Sequence, residues 1–191
     1  WVLPMQGYPR TACMLFRDLP DVFDPAFAQA AEAGAAQLAP LADEALLIGY
    51  FMNNEPLFGF GRFNLAAEML EDQPCSHSRA ALRAWLQERH GGLAALNAAW
   101  AGVEPLRSWD EIETRCFHRL AAASPGADAD CWAFTRVLID RYAAIPAAAC
   151  RRVLPQHLNL GLRWAWIPDP ALYAAAAHSD VFSINCYQMT P

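Results

Sequence analysis

Leu46-Leu47-Ile48-Gly49-Tyr50-Phe51-Met52-Asn53-Asn54-Glu55-Pro56 is an apolar run that stops abruptly at two amides, a carboxylic acid and a proline. A run of this length, rich in aliphatic and aromatic residues and bounded by turn residues, is typical of a strand buried on both faces. In parallel sheets the catalytic and binding residues usually lie just past the carboxyl ends of the strands. The run therefore predicts a strand of a parallel sheet and places Glu55 where a functional carboxylate is expected.

Composition limits the partners that this chain can have. Of its 191 residues, 55% are hydrophobic and 18% are charged, which is enough apolar material for a substantial core. The formal net charge of −6 offers no basic surface to nucleic acid or anionic lipid. No apolar stretch approaches the roughly 18 residues of a membrane span. We therefore expect no nucleic-acid and no membrane partner, and the oligomeric state stays undetermined.

The residues that several kinds of chemistry require are absent from this sequence. All 14 basic residues are Arg, which excludes a Schiff-base or phosphate-loop lysine within this chain. The six cysteines are scattered without a Cys-x-x-Cys pair, and the five histidines form no i,i+4 pair. No Gly-x-Ser-x-Gly elbow is present. We therefore expect no metal and no cofactor, whereas disulfide status and compartment stay open.

Hydrophobic patterning predicts strands that alternate with helices. The predicted strands cover residues 12–16, 46–52, 157–164 and 181–187. Loops are predicted at residues 17–21 and at Pro125-Gly126, and Pro146 is expected to end or kink a long helix. The predicted helices begin at Asp24-Pro25, near Ser78 with a stop at Gly91-Gly92, at Leu93, at the Ser-x-x-Glu capping box of Ser108 and Glu111, at a cap formed by Asp128 or Asp130, and at Pro168-Asp169-Pro170 with an end near His178.

Alternating strands and helices imply an α/β fold with a parallel sheet, either doubly wound or a (β/α)₈ barrel. A doubly wound nucleotide-binding sheet would be favoured by a glycine-rich phosphate turn. The candidate Gly59-Phe60-Gly61 lacks the third glycine in register. We therefore favour a partial (β/α)₈ TIM barrel. The chain opens at Trp1 without an initiator Met or signal-like segment, so we expect a fragment of a longer protein.

Glu55 has the residue type and the expected place of an acid catalyst. Glycoside hydrolysis needs two carboxyl groups, one that protonates the leaving oxygen and one that attacks or activates water. Glu55 suits the first role, and the neighbouring Asn54 could donate to a sugar hydroxyl. The alternative interpretation is that Glu55 is a solvated turn residue, because an isolated Asn-Glu-Pro is a weak signal.

A series of ordered motifs resembles clan A glycoside hydrolases, most closely the β-agarase-like and family 42 β-galactosidase-like enzymes. These motifs are residues 18–25, 47–51 with Asn54-Glu55, 84–86, 95–100, 108–112 and 180–187. The resemblance implies approximately strands 3 to 6 of the barrel, in one partial catalytic domain over residues 1–191. A helical insertion at about 62–125 would lie between strand 4 and helix 4.

The resemblance also implies roles for individual residues. Glu55 is expected to be the general acid/base at the end of strand 4, and Asn54 to contact the hydroxyl next to the anomeric centre. Tyr187 is expected near the nucleophile, which in this clan is a Glu at the end of strand 7. The last Glu here is Glu113. We therefore expect the nucleophile beyond Pro191; otherwise the parent protein is not an enzyme.

The implied function is that of a retaining glycoside hydrolase fragment, a β-agarase or β-galactosidase type that cleaves β-galactosidic bonds in poly- or oligosaccharides. A carbohydrate would be its partner. The absence of the zinc-cysteine cluster common in family 42 favours the agarase side. An agarase-like protein would be secreted or periplasmic, and one that acts on imported oligosaccharides would be cytoplasmic.

Residues at and just past the end of the third predicted strand could also contact sugar. Arg163 donates well to hydroxyls, and Trp164 and Trp166 could stack on a ring, although a Trp at a strand end is often packing. Asn185 and Tyr187, near the end of the last predicted strand, complete the predicted binding residues. Two alternatives stay open: a non-catalytic carbohydrate-binding relative with the same fold, and an unrelated α/β domain.

Overall fold

The computed structural model describes residues 2–4, 8–71 and 77–187. In these residues the strands are β1 (Val2–Pro4), β2 (Met14–Phe16), β3 (Leu19–Pro20), β4 (Gly49–Phe51) and β5 (Leu158–Asn159). The α-helices are α1 (Pro25–Ala36), α2 (Leu65–Glu71), α3 (His77–His90), α4 (Leu93–Ala99), α5 (Glu111–Thr114), α6 (Leu120–Ala123) and α7 (Pro125–Val153). Short 3₁₀ helices cover Ala39–Leu41, Leu57–Gly59 and Pro170–His178.

A parallel sheet in the order β1-β4-β5 is the framework of the fold. Gly49 of β4 lies opposite Val2 on one side and Leu158 on the other. A Cβ atom on Gly49 would lie 2.3 Å from the Leu158 carbonyl oxygen, so this residue must be glycine for β4 and β5 to approach so closely. A further parallel bridge joins Trp164 to Ile184. The prediction of parallel strands separated by helices is therefore confirmed.

The strand predicted over 46–52 is shorter than expected. Leu46 and Ile48 precede β4 and are 70% and 63% exposed. The backbone N–H of Leu46 instead donates to the Glu44 carboxylate at 3.0 Å, in a turn. Tyr50 and Met52 are fully buried. The prediction of burial on both faces is thus right for the centre of the run and wrong for its start.

Three other strand predictions need correction. Residues 12–16 contribute β2, but β2 pairs antiparallel with β3, so this hairpin, which includes part of the predicted loop 17–21, lies outside the parallel sheet. The first strand of that sheet is β1, which the patterning missed. The strand over 157–164 ends at Asn159, since left-handed backbone at Gly161 (φ 81°) interrupts it. Residues 181–187 contribute only the bridge at Ile184.

Helices α1 and α7 begin with an Asp-Pro or a Ser-Pro pair. The Asp24 carboxylate accepts from the N–H of Ala26 at 2.8 Å, as predicted for α1. The longest helix, α7, begins in the same way: the Ser124 hydroxyl accepts from Ala127 at 3.3 Å, and Pro125 is the first helical residue. The predicted loop at Pro125-Gly126 and the predicted cap at Asp128 or Asp130 are therefore wrong.

The helical stretch between β4 and α7 depends on contacts that are distant in sequence. The N-terminus of α3 is capped by buried Asp21, whose carboxylate accepts from the N–H groups of His77 at 2.6 Å and Ser78 at 3.0 Å. The capping box also differs from expectation: Glu111 accepts from the N–H of Arg107 at 2.7 Å, and no side-chain cap bond forms at the start of α5. The helix predicted to end near His178 has 3₁₀ geometry, with Asp169 as its cap.

Helix α7 packs against α1, α2, α6 and the 3₁₀ helix Pro170–His178, and it passes through Pro146 without ending. Pro146 has no N–H for the carbonyl of Tyr142, four residues earlier, so that carbonyl loses its helical partner. The hydroxyl of Tyr8 donates to this carbonyl. The two tyrosine rings stack at 4.3 Å between centroids. The helix therefore does not end at Pro146, one of the two outcomes predicted, and Tyr8 supplies the donor that the Tyr142 carbonyl lacks.

Replacing Tyr8 by phenylalanine is expected to lower the free energy of unfolding by about 1–3 kcal/mol, because the ring stack stays while the Tyr142 carbonyl loses its donor. Urea denaturation measures the difference. Tyr173→Phe is the matched control, since Tyr173 is 54% exposed and its hydroxyl loss is expected to change stability by less than about 0.5 kcal/mol. Equal stability of the two variants would contradict the role assigned to Tyr8.

In the part of the chain that the structure describes, no helix combines the length and the apolar character that crossing a bilayer requires.

Candidate active site

Four of the six predicted site residues meet at the carboxyl end of the parallel sheet. Glu55 follows β4, Arg163 follows β5, and Asn185 and Tyr187 follow the bridge residue Ile184. The backbone N–H of Asn185 donates to the carbonyl of Trp164 at 2.6 Å, which ties the last segment to the one before it. Parallel strands end at the same edge of a sheet, so the fold brings these side chains together.

The Glu55 carboxylate is the centre of this cluster. The side-chain amide nitrogen of Asn185 donates to its Oε1, and the hydroxyl of Tyr187 lies 3.5 Å from the same oxygen. Arg163 is linked to the carboxylate through Asn185, because its Nε donates to the Asn185 Oδ1 at 2.8 Å. Glu55 is partly buried and Tyr187 is 76% exposed, so the cluster opens to solvent on the Tyr187 side.

The backbone at the cluster has an unusual conformation. Glu55 and Arg163 have φ angles of 53° and 49°, in the left-handed region that side chains with a Cβ rarely adopt. The N–H of Glu55 donates to the carbonyl of Arg163 at 3.0 Å, so the two strained residues support one another. Strain of this kind persists only where surrounding contacts fix it, and it concentrates at functional sites.

The turn after Glu55 is fixed by the hairpin of β2 and β3. The Asp18 carboxylate accepts from the N–H groups of Leu57 at 2.8 Å and Phe58 at 3.1 Å. The Arg17 guanidinium donates to the carbonyl of Leu57 at 3.0 Å. Sequence patterning assigned neither residue a role, although Asp18 is the first residue of the motif over 18–25.

If Glu55 is the general acid/base that the resemblance implies, Asp18→Asn is expected to lower kcat of the full-length protein about tenfold, with a much smaller change in KM. An amide oxygen replaces one carboxylate oxygen and an N–H donor replaces the other, so one of the two backbone N–H groups loses its acceptor and the Glu55 turn shifts. Steady-state kinetics on an oligosaccharide substrate measures both constants. Asp43→Asn, at an exposed position of another loop, is the control. An unchanged kcat would show that the hairpin does not position Glu55.

The two asparagines before Glu55 have different surroundings. Asn53 donates to the hydroxyl of Tyr142 at 2.7 Å and accepts from the N–H of Asn54 at 2.7 Å, so it anchors the turn. Burial raises the pKa of Tyr142 well above its usual range, which keeps that phenol neutral. Asn54 is exposed beside Glu55. Its role toward a sugar stays a prediction.

Trp164 is part of the core. The indole is 1% exposed and meets the Phe58 ring edge-on at 5.9 Å between centroids. This burial argues against the predicted stacking of a sugar on Trp164, and we assign it a packing role. Trp166 and Phe60, in contrast, are 62% and 45% exposed. These two exposed aromatic residues are better candidates for the apolar wall of a sugar site.

Comparison with known proteins identifies relatives of this chain. No protein-family model matches the chain. The chain is 30% identical over 177 residues to β-agarase B of Vibrio sp. (strain JT0107), covering 87% of this chain. It is 32% identical over 191 residues to β-agarase A of the same strain, covering 89% of this chain. The chain spans 18% of the length of each of these curated relatives.

Solved structures give the same result. The agarase AgWH50C superposes with a TM-score of 0.80 at 25% identity, covering 97% of this chain and 28% of that one. An exo-β-agarase superposes with a TM-score of 0.77 at 29% identity, covering 88% of this chain and 24% of that one. The chain is therefore similar to β-agarases in both sequence and fold. It also shares its fold with a β-galactosidase from Bacillus circulans sp. alkalophilus, at a TM-score of 0.60 and 23% identity, over 89% of this chain and 25% of that one. The resemblance to clan A glycoside hydrolases is therefore confirmed.

Proposed function

We propose that this chain carries the general acid/base of a retaining glycoside hydrolase that cleaves β-galactosidic bonds in poly- or oligosaccharides. The observation that carries the proposal is the Glu55 carboxylate, held at the carboxyl end of β4 by Asn185 in a cluster that is open to solvent. The similarity to two β-agarases supports the substrate class. The similarity to agarase structures supports a partial (β/α)₈ barrel as the setting of the site.

In the proposed mechanism Glu55 first donates a proton to the glycosidic oxygen as the bond to the anomeric carbon breaks. A second carboxylate attacks that carbon from the opposite face and forms a glycosyl ester. Glu55, now ionised, then takes a proton from water, which displaces the ester and restores both carboxyl groups. The nucleophile would lie about 5 Å from Glu55. We propose that it is a Glu supplied by a part of the protein that follows residue 191.

The sugar would lie across the opening beside Glu55. Asn54, at the exposed end of the turn, would bind the hydroxyl next to the anomeric carbon. Exposed Trp166 and Phe60 would offer apolar faces to the C–H bonds of the sugar rings. Tyr187 would point its hydroxyl toward the space between the two carboxyl groups, consistent with its 3.5 Å approach to Glu55.

Proton NMR of the products tests the mechanism. The protein is incubated with agarose-derived oligosaccharides, and the anomeric signals of the new reducing ends are followed from the first minutes. A retaining enzyme releases the β anomer first, and the α anomer appears later by mutarotation. Early α anomer would refute retention. Binding of the oligosaccharide without new reducing ends would instead favour the carbohydrate-binding alternative.

A further inference from the structure

The hydrogen bonds around Asn185 have a defined direction. A guanidinium can only donate, so the Asn185 atom that faces Arg163 Nε at 2.8 Å must be the amide oxygen. The other end of the amide, its NH₂ group, is then turned toward Glu55. An asparagine amide alone could present either end to a carboxyl group, and Arg163 removes that freedom.

This direction determines which oxygen of Glu55 can carry the proton. The NH₂ group of Asn185 has no acceptor function, so Oε1 of Glu55 must accept from it in both protonation states of the carboxyl group. Tyr187 approaches the same oxygen, at 3.5 Å. The carbonyl oxygen of a carboxylic acid is a better acceptor than its hydroxyl oxygen, so these contacts favour Oε1 as the carbonyl oxygen and Oε2 as the site of the acid proton.

We propose that Arg163 and Asn185 are a positioning pair that orients the Glu55 carboxyl group and directs its acid proton to Oε2, in place of the sugar contacts predicted from sequence. This inference rests on the proposed role of Glu55 as general acid/base. In this inference the pair contributes to the proton-transfer step and does not contribute to substrate affinity.

Arg163 is itself held at both its main chain and its side chain, so it can serve as a fixed reference for the pair. Its backbone carbonyl accepts from the N–H of Glu55 at 3.0 Å. Its φ of 49° lies in the left-handed region, which residues with a Cβ rarely adopt. Its guanidinium lies 5.3 Å from the centroid of the Phe51 ring, within the range of a cation–π contact. The same residue therefore fixes the main chain of Glu55 and, through Asn185, its side chain.

The test separates proton donation from sugar binding by means of the leaving group. The dinitrophenolate of a 2,4-dinitrophenyl β-galactoside leaves without protonation. The leaving group of a phenyl β-galactoside or of an agaro-oligosaccharide must be protonated by the acid. Asn185→Ala, Arg163→Met and the double variant are compared with the unmodified protein on both kinds of substrate, in the full-length protein. Thermal melting of each variant establishes that it is folded.

For the substrates with poor leaving groups, we expect kcat/KM to fall about 10- to 100-fold in each single variant. For the dinitrophenyl substrate we expect a change of less than about threefold, since no acid is needed. The double variant is expected to be no worse than the more impaired single variant, because both substitutions break one chain of contacts. Arg163→Lys, which keeps a donor, is expected to restore part of the loss.

Two outcomes would overturn the inference. Equal losses on both kinds of substrate, expressed mainly as higher KM, would show that the pair binds sugar. Unchanged kcat/KM on all substrates would show that the pair is dispensable. Glu55→Gln is measured alongside: if it is also without effect, the proposed acid role itself fails. A selective loss in Glu55→Gln without one in Asn185→Ala refutes only the positioning role.

Discussion

Glu55→Gln is expected to lower kcat/KM on agaro-oligosaccharides by about 10²- to 10⁴-fold, the usual contribution of a positioned proton donor. The amide keeps the size of the carboxyl group and can neither donate an acid proton nor accept one from water. On a 2,4-dinitrophenyl β-galactoside kcat/KM is expected to stay within a few-fold, while kcat falls because the second step lacks its base. Added azide, which needs no base, is expected to raise that kcat and to yield a β-galactosyl azide.

The matched control is Glu88→Gln, which makes the same chemical change at an exposed position of α3. Its kinetic constants are expected to equal those of the unmodified protein on every substrate. If Glu55→Gln hydrolysed oligosaccharides as fast as Glu88→Gln does, Glu55 would not be the acid/base. If kcat/KM of Glu55→Gln fell as much on the dinitrophenyl substrate as on oligosaccharides, the substitution would instead have disrupted the site as a whole.

Gly126→Ala is expected to destabilise the fold by about 2–3 kcal/mol, although alanine normally stabilises a helix relative to glycine by roughly 1 kcal/mol. Gly126 lies in the first turn of α7, and a Cβ atom there would sit 1.9 Å from the carbonyl oxygen of Ala99 at the end of α4. Backbone must move to make room, and the contact between the two helices is lost. The expected effect therefore has the opposite sign to helix propensity.

Gly92→Ala provides the comparison for Gly126→Ala, since Gly92 also lies at a helix start and a Cβ atom added there would meet nothing within 4 Å. Its expected change is less than about 1 kcal/mol, the usual scale for glycine against alanine at a helix cap. Urea denaturation of both variants gives the two free energies. If Gly126→Ala were as stable as Gly92→Ala, or more stable than the unmodified protein, the close approach of α7 and α4 would be refuted.

Local sequence patterns predicted most helices because helix caps and apolar stripes involve neighbouring residues. The Asp24-Pro25 start of α1, the end of α3 at His90 before Gly91 and the short helix from Leu93 all follow from residues within a few positions. The parallel strands were located less well. Their ends depend on partners far along the chain, as the close contact of Gly49 with Leu158 shows.

The same difference explains which parts of the site could be predicted from the sequence. Strand polarity alone places Glu55 and Asn185 at one edge of the sheet, so their meeting was foreseeable. The burial of Trp164 was not, because an indole after a strand can face either the core or solvent until the neighbouring Phe58 is placed. Asp18 was missed for a similar reason: its two backbone partners, Leu57 and Phe58, lie about 40 positions away.

The contact between Glu55 and Asn185 joins residues that are 130 positions apart, and this separation has a consequence for biosynthesis. A ribosome adding 5–20 residues per second needs roughly 6–26 s to make the intervening chain. During that interval β4 and its turn have left the peptidyl-transferase centre, but the partner of Glu55 does not yet exist. We therefore expect the site to assemble late, after most of the helical core has been synthesised, and a nascent chain stalled before Asn185 to carry an unoriented Glu55.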